Sequence, residues 1–274
     1  MNLYLLLIAL SPQFCGASPI VAQSLEASFV QDKKIAYKGY LISSSYDPHT
    51  RIAFATIKLR GKFLARMKQT DNFLNSTQMA LVSLLGKGTK QVIIEQSTLG
   101  NKCCFYYRIY DLFPRFRLIF ASERYPVGHD RPEIVDLDKD GIAELVMDDL
   151  IITFAEWLAF ISSPRPTVIF KYEKRAARYL PANRKFAGHI LRGVEEDFAK
   201  VKEMNRDIEG ASSEGYLMHF LEVFSRLVYA GRARKAWAFY DKQYKLRDKG
   251  VFRTEIKRWL IKDPVFRSIY RIKA

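Results

Sequence analysis

The chain has 274 residues, 49% of them hydrophobic and 14% aromatic, and a formal net charge of +15. This length allows one large domain or two modest ones, and the apolar and aromatic content excludes an intrinsically disordered chain. Beyond residue 23 the only cysteines are Cys103 and Cys104, which excludes a small scaffold built on disulfides.

Residues 1–23 read as a secretory signal. An apolar run at residues 3–10 is followed by small-residue sites at Cys15-Gly16-Ala17 and Ile20-Val21-Ala22. No Lys or Arg precedes the run, and Phe14 before Cys15 makes a poor lipobox. Cleavage is expected between Gly16 and Leu25, giving an exported protein, periplasmic or secreted. The longest later apolar run, residues 150–163, is interrupted by Glu156 and is too short to span a bilayer.

Residues 24–182 carry strand signals. Aromatic and β-branched residues alternate with polar ones at residues 24–46 and again at 52–59, the latter ending in Arg60-Gly61-Lys62. Residues 79–85 suit a short helix or strand, and residues 91–96 form a continuous apolar strand. Strands follow at residues 103–110, 116–120, 153–160, 167–172 and 177–180. A single antiparallel meander leading into the segment at 134–149 is the assembly these runs predict.

That segment reads IVDLDKDGIAELVMDD. Asp136, Asp138 and Asp140 stand two apart and precede Gly141, the first half of a calcium-loop pattern. A hard cation gathers six to eight oxygens, and a tightly wound loop turns alternate side chains inward to supply them. The Ile142 carbonyl and Glu144, at the ninth loop position, complete the candidate ligand set, while Lys139 points outward. An EF-hand would need Glu at the twelfth position, which is Met147, and helices on both sides. The flanks are instead short apolar runs, so the expected site is strand–loop–strand. The same aspartates also suit a polar hairpin whose carboxylates accept turn hydrogen bonds.

Residues 183–274 change period. Apolar residues recur at three and four from Leu191 through Val194, Phe198, Val201 and Met204. A second helix runs from Gly215 and is closed by Gly231. A third, at residues 234–244, is expected to bury Trp237, Tyr240 and Tyr244, and a fourth at 252–261 stops before Asp263-Pro264. The pair meeting at Tyr229-Ala230-Gly231 reads as a helical hairpin. Residues 161–274 hold 26 Lys and Arg against 13 Asp and Glu. Such a surface suits an anionic partner, although the acids interleaved among the bases also suit ordinary solvated helix faces.

Cys103 and Cys104 are adjacent in a strand-like run, so their side chains point to opposite faces. They suit either a strained vicinal disulfide or two small apolar side chains. His49, His129, His189 and His219 are scattered singly, and His219, within an apolar helix, reads as a core residue. No G-x-S-x-G elbow, H-E-x-x-H helix, phosphate loop or G-x-G-x-x-G turn occurs.

Three features occur in sequence: Gly100-Asn101-Lys102-Cys103-Cys104, then VDLDKDGIAEL, then an aromatic run into SSPRPTVIFKY. Together they resemble exported bacterial proteins that carry calcium loops of the FG-GAP or VCBS type, D-x-D-x-D-G-x-x-E. The resemblance covers roughly residues 92–180 and, more weakly, the helical end from Tyr229 through Trp237 to Tyr240. It implies a calcium-stabilised β-rich domain outside the cytoplasm and attaches no activity to it. Only one such loop is present, where a propeller has several blades.

The expected architecture is α+β: an antiparallel β-rich domain at residues 24–182 with the calcium site, then a small basic helical domain at 183–274. The expected role is non-catalytic binding or scaffolding in the bacterial envelope. The expected partner is a protein or an anionic envelope polymer, with peripheral membrane contact and no specific nucleic acid. The alternatives are an envelope hydrolase with dispersed catalytic residues, or a membrane-surface or cell-wall polymer adaptor using the basic helices.

Overall fold

The computed structural model describes residues 29–30, 34–47, 49, 52–68, 76–86, 88–100, 103–125, 127, 131–149, 163–207 and 213–272. The expected signal segment and the strand expected at residues 153–160 lie outside them. So do the side chains of Cys103 and Cys104. The described residues form an α+β fold with thirteen strands in three antiparallel sheets and six α-helices, all of the helices in the C-terminal part.

Instead of one meander there are three. The first sheet is β2 (Lys34–Tyr37), β3 (Tyr40–Asp47), β4 (Ile52–Leu59) and β5 (Lys62–Lys68), in that order. The second places β1 (Phe29–Val30) beside β6 (Ser76–Val82), then β7 (Gln91–Gly100), β8 (Cys103–Asp111) and β9 (Arg117–Ala121). The third is β10 (Glu133–Val135), β11 (Glu144–Asp148), β12 (Thr167–Glu173) and β13 (Arg178–Pro181).

The second sheet is the middle layer, and β7 shows why its sequence is a continuous apolar run. Val92 and Ile94 face the first sheet, where they pack with Ile42, Ile57 and Met67, beside Met79 of β6. Ile93 faces the other way into a cluster shared with Leu145, Phe170 and the helices. A strand buried on both faces has no solvent side to mark with polar residues. Each such side chain contributes about 1.5–3 kcal/mol by leaving water. In β4 the pattern is the reverse of what bulk suggests. Ala53, Ala55 and Ile57 are buried, while Phe54 is only half-buried, with the Arg66 guanidinium 5.0 Å from its ring centre.

The helices are α1 (Ala187–Ile190), α2 (Val194–Met204), α3 (Ser213–Tyr229), α4 (Ala233–Gln243), α5 (Lys249–Lys262) and α6 (Pro264–Tyr270). Helix α3 is the pivot: Tyr216, Leu217, Phe220, Leu221, Phe224 and Val228 are buried along it. Tyr240 and Tyr244 are buried with them, whereas Trp237 is half-buried, with Arg253 stacked 4.7 Å from its ring. One cluster of buried residues contains Ile93, Tyr107, Leu145 and Phe170 from strands together with Phe220, Phe224, Phe252 and Ile269 from helices. The change of secondary structure after residue 182 is therefore not a gap in the core.

Candidate functional site

The 136–144 loop joins β10 to β11, and these strands pair antiparallel with Val135 opposite Glu144. The Asp136 carboxylate winds the loop by accepting the N–H groups of Asp140 (3.1 Å) and Gly141 (2.8 Å). Gly141 has φ +82°, a left-handed conformation that glycine adopts without steric cost. Asp140 accepts the Ile142 N–H at 2.9 Å. The loop also meets the connection between β6 and β7, where the Ala143 N–H donates to the Leu84 carbonyl at 2.8 Å.

Asp136, Asp138 and Glu144 each present a carboxylate oxygen within 4.8 Å of the others. That spacing fits the donor set of a divalent cation. The Ile142 side chain is buried, and Asp140, outside this trio, gives its second oxygen to a lysine.

That lysine is Lys171, on β12. Its ammonium donates to Asp140 at 2.7 Å, Glu144 at 2.8 Å and Asp138 at 3.2 Å. Lys185, in the turn between β13 and α1, also reaches Asp138. Glu144 is fully buried, and its other oxygen accepts the Leu137 N–H at 2.8 Å. Burial alone would lower the Lys171 pKa. Its bonds to Asp140, Glu144 and Asp138 outweigh that effect and hold the ammonium above its ordinary range. Burial pushes the Glu144 carboxyl up, opposed by Lys171 and the Leu137 N–H. For Asp138 burial also acts upward, but Lys185 and Lys171 prevail and its carboxyl lies below the usual range.

Lys171 has no local signature in the sequence. It is found through register: Leu145 pairs with Phe170 across β11 and β12, which brings the next residue of β12 beside Glu144. Removing it would strand a buried carboxylate, a change that costs about 3–5 kcal/mol in comparable pairs.

Among the described residues, two concavities draw on the helices. A cleft of about 610 Å³ is lined by Asp148, Ser163, Arg165, Asp197, His219 and Glu222. His219 Nδ1 lies 2.9 Å from Asp197. The residue expected in the core is thus partly exposed, because its position on α3 turns it toward α2 instead of the sheet. Burial pushes the Glu222 carboxyl up, opposed by Arg226, which donates to it at 2.6 Å.

The second is an apolar groove of about 430 Å³ between α2, α3 and α4. Val223 and Phe239 form its buried floor, and Val194, Phe198 and Leu227 its half-buried walls. Exposed Lys235 and Lys242 stand at the rim with Glu195, and Lys202 sits 4.5 Å from the centre of the Phe198 ring.

No family model matches the chain, and no curated protein or solved structure matches it. Among the described residues no helix is long and apolar enough to cross a membrane.

Proposed function

We propose that the chain is a non-catalytic binding or scaffolding protein of the bacterial envelope. In this reading, the groove between α2, α3 and α4 receives an acidic amphipathic segment of a protein partner. The observation that carries it is the groove itself: apolar floor and walls at the surface, with Lys235, Lys242 and Glu195 in its lining and Lys202 beside the Phe198 ring. Apolar side chains of the partner would displace water from Phe198, Leu227 and Phe239. Carboxylates flanking them would meet Lys202, Lys235 and Lys242, and such rim charges set specificity and on-rate more than affinity. The excess of base over acid in residues 161–274 acts in the same direction.

A model helical peptide with a leucine face and glutamate flanks tests this by fluorescence anisotropy. It is expected to bind the wild-type chain, and a lysine-flanked counterpart is not. Leu227→Asp should weaken binding at least tenfold, and Lys235→Glu/Lys242→Glu should reverse the preference. Equal binding of both peptides, or no effect of Leu227→Asp, contradicts the reading.

A second reading, an envelope hydrolase, draws on the Asp197–His219 pair and Glu222 in the larger cleft. Ester or glycoside hydrolysis that is lost in His219→Ala, with peptide binding intact, would favour it.

A further inference from the structure

We propose that Lys171 is the resident cation of the 136–144 loop. The chain itself provides the positive charge that the aspartate spacing reserves for a metal, and the loop closes without calcium. This goes beyond the binding reading and does not depend on it.

The carboxylate oxygens of the loop are already engaged within the chain. Both Asp136 oxygens accept backbone N–H groups, from Asp140 and from Gly141. Asp140 accepts the Ile142 N–H with one oxygen and the Lys171 ammonium with the other. Glu144 accepts the Leu137 N–H and Lys171. Asp138 accepts Lys171 with one oxygen and Lys185 with the other. Each oxygen of the four loop carboxylates therefore already has a donor within the chain.

The ammonium is also well placed to replace an ion. A lysine carries three donors, and here they are directed at Asp138, Asp140 and Glu144, three of the side chains that a calcium loop of this spacing would use. Calcium bonded to both Asp138 and Glu144 would share those two carboxylates with a like charge. To bind, it would have to expel an ammonium whose side chain is about one-fifth exposed from beside a carboxylate that is not exposed at all. The lysine cannot leave without cost, because Glu144 would lose its counter-ion. Lys185 extends the same network from the sheet to the turn that begins the helical part.

Thermal melts of the full chain in chelator and in roughly millimolar calcium, the range of extracellular-type loops, test the proposal. The wild-type chain is expected to melt at the same temperature in both. Lys171→Met is expected to melt roughly 10 °C lower in chelator, from the cost of an unpaired buried carboxylate, and to recover part of that shift in calcium. Lys171→Arg, which keeps the charge, should lie between them in chelator and show no calcium response. Should Lys171→Met not fold, Lys171→Met/Glu144→Gln removes the buried pair together and is expected to fold. Terbium luminescence of the wild-type chain then decides: no saturable binding supports the proposal. A wild-type chain that gains stability in calcium, or binds terbium saturably in a way that Asp138→Asn abolishes, overturns it.

Discussion

Two buried carboxylates of this chain are each satisfied by a cation from another strand or loop. Glu144 has Lys171, and Glu95, 1% exposed, has Arg131, whose guanidinium grips both its oxygens at 3.0 and 3.1 Å. The Tyr107 hydroxyl donates to the same Glu95 at 2.9 Å. Removing one partner of such a pair is far more costly than removing both, because the remaining charge stays in a poor solvent. Arg131→Ala is therefore expected to cost about 3 kcal/mol in urea unfolding, the low end of the usual range because Arg131 keeps some contact with water. Arg131→Met/Glu95→Gln should recover most of it. A loss under about 1 kcal/mol for the single variant would contradict this role for Arg131.

Helix α6 shows how the stop signal of one helix can also start the next. Asp263-Pro264 was expected to stop a helix, and it does end α5, but it also begins α6. Asp263 accepts the N–H groups of Val265 at 2.8 Å and Phe266 at 2.9 Å, and Pro264 takes the first helical turn, where its missing N–H costs nothing. Asp263 is fully buried and also accepts the Tyr229 hydroxyl at 2.5 Å, and Asp149, equally buried, acts on the same tyrosine. Burial pushes the Asp263 carboxyl up; Tyr229, the two N–H groups and Arg267 offset only part of that. A carboxyl raised in the folded state binds more protons folded than unfolded. Its cost to stability is absent below the unfolded pKa and grows as pH rises toward the folded one. Asparagine keeps a cap without the titration. The stability of Asp263→Asn relative to wild type is therefore expected to rise as pH is raised above the unfolded carboxyl's range, about pH 4. Urea unfolding from that pH upward measures it, and a difference independent of pH contradicts it.

Other elements were legible because their signals are local. The alternation at β4, the apolar run of β7 and the three–four spacing of α2 and α3 all appear in the sequence. So does Gly231, whose φ of +76° ends α3 while the Arg232 N–H reaches back to the Leu227 carbonyl at 2.8 Å. Lys171 was not legible, because its role depends on strand register between segments 27 residues apart. Nor was the division into three sheets, which is decided by which faces cover one another.

The molecule that results has a second core between the first and middle sheets and a larger one running from the middle sheet into α3 and its neighbours, with the acidic loop tied to both halves. Phe120 and Phe170 meet edge-on at 5.0 Å where β9 and β12 approach, and Phe220 continues the cluster among the helices. A loop held by Lys171 and Lys185 is a permanent staple for this assembly, present at any calcium concentration, so the groove on the helices would be presented without an ionic trigger. Detection of the Lys171 ammonium protons by proton–nitrogen NMR tests this most directly. A persistent, slowly exchanging Lys171 signal is expected, absent in Lys171→Arg and unchanged by roughly millimolar calcium. A Lys171 signal that is missing from the wild-type chain, or that is lost saturably as calcium is added, would contradict it.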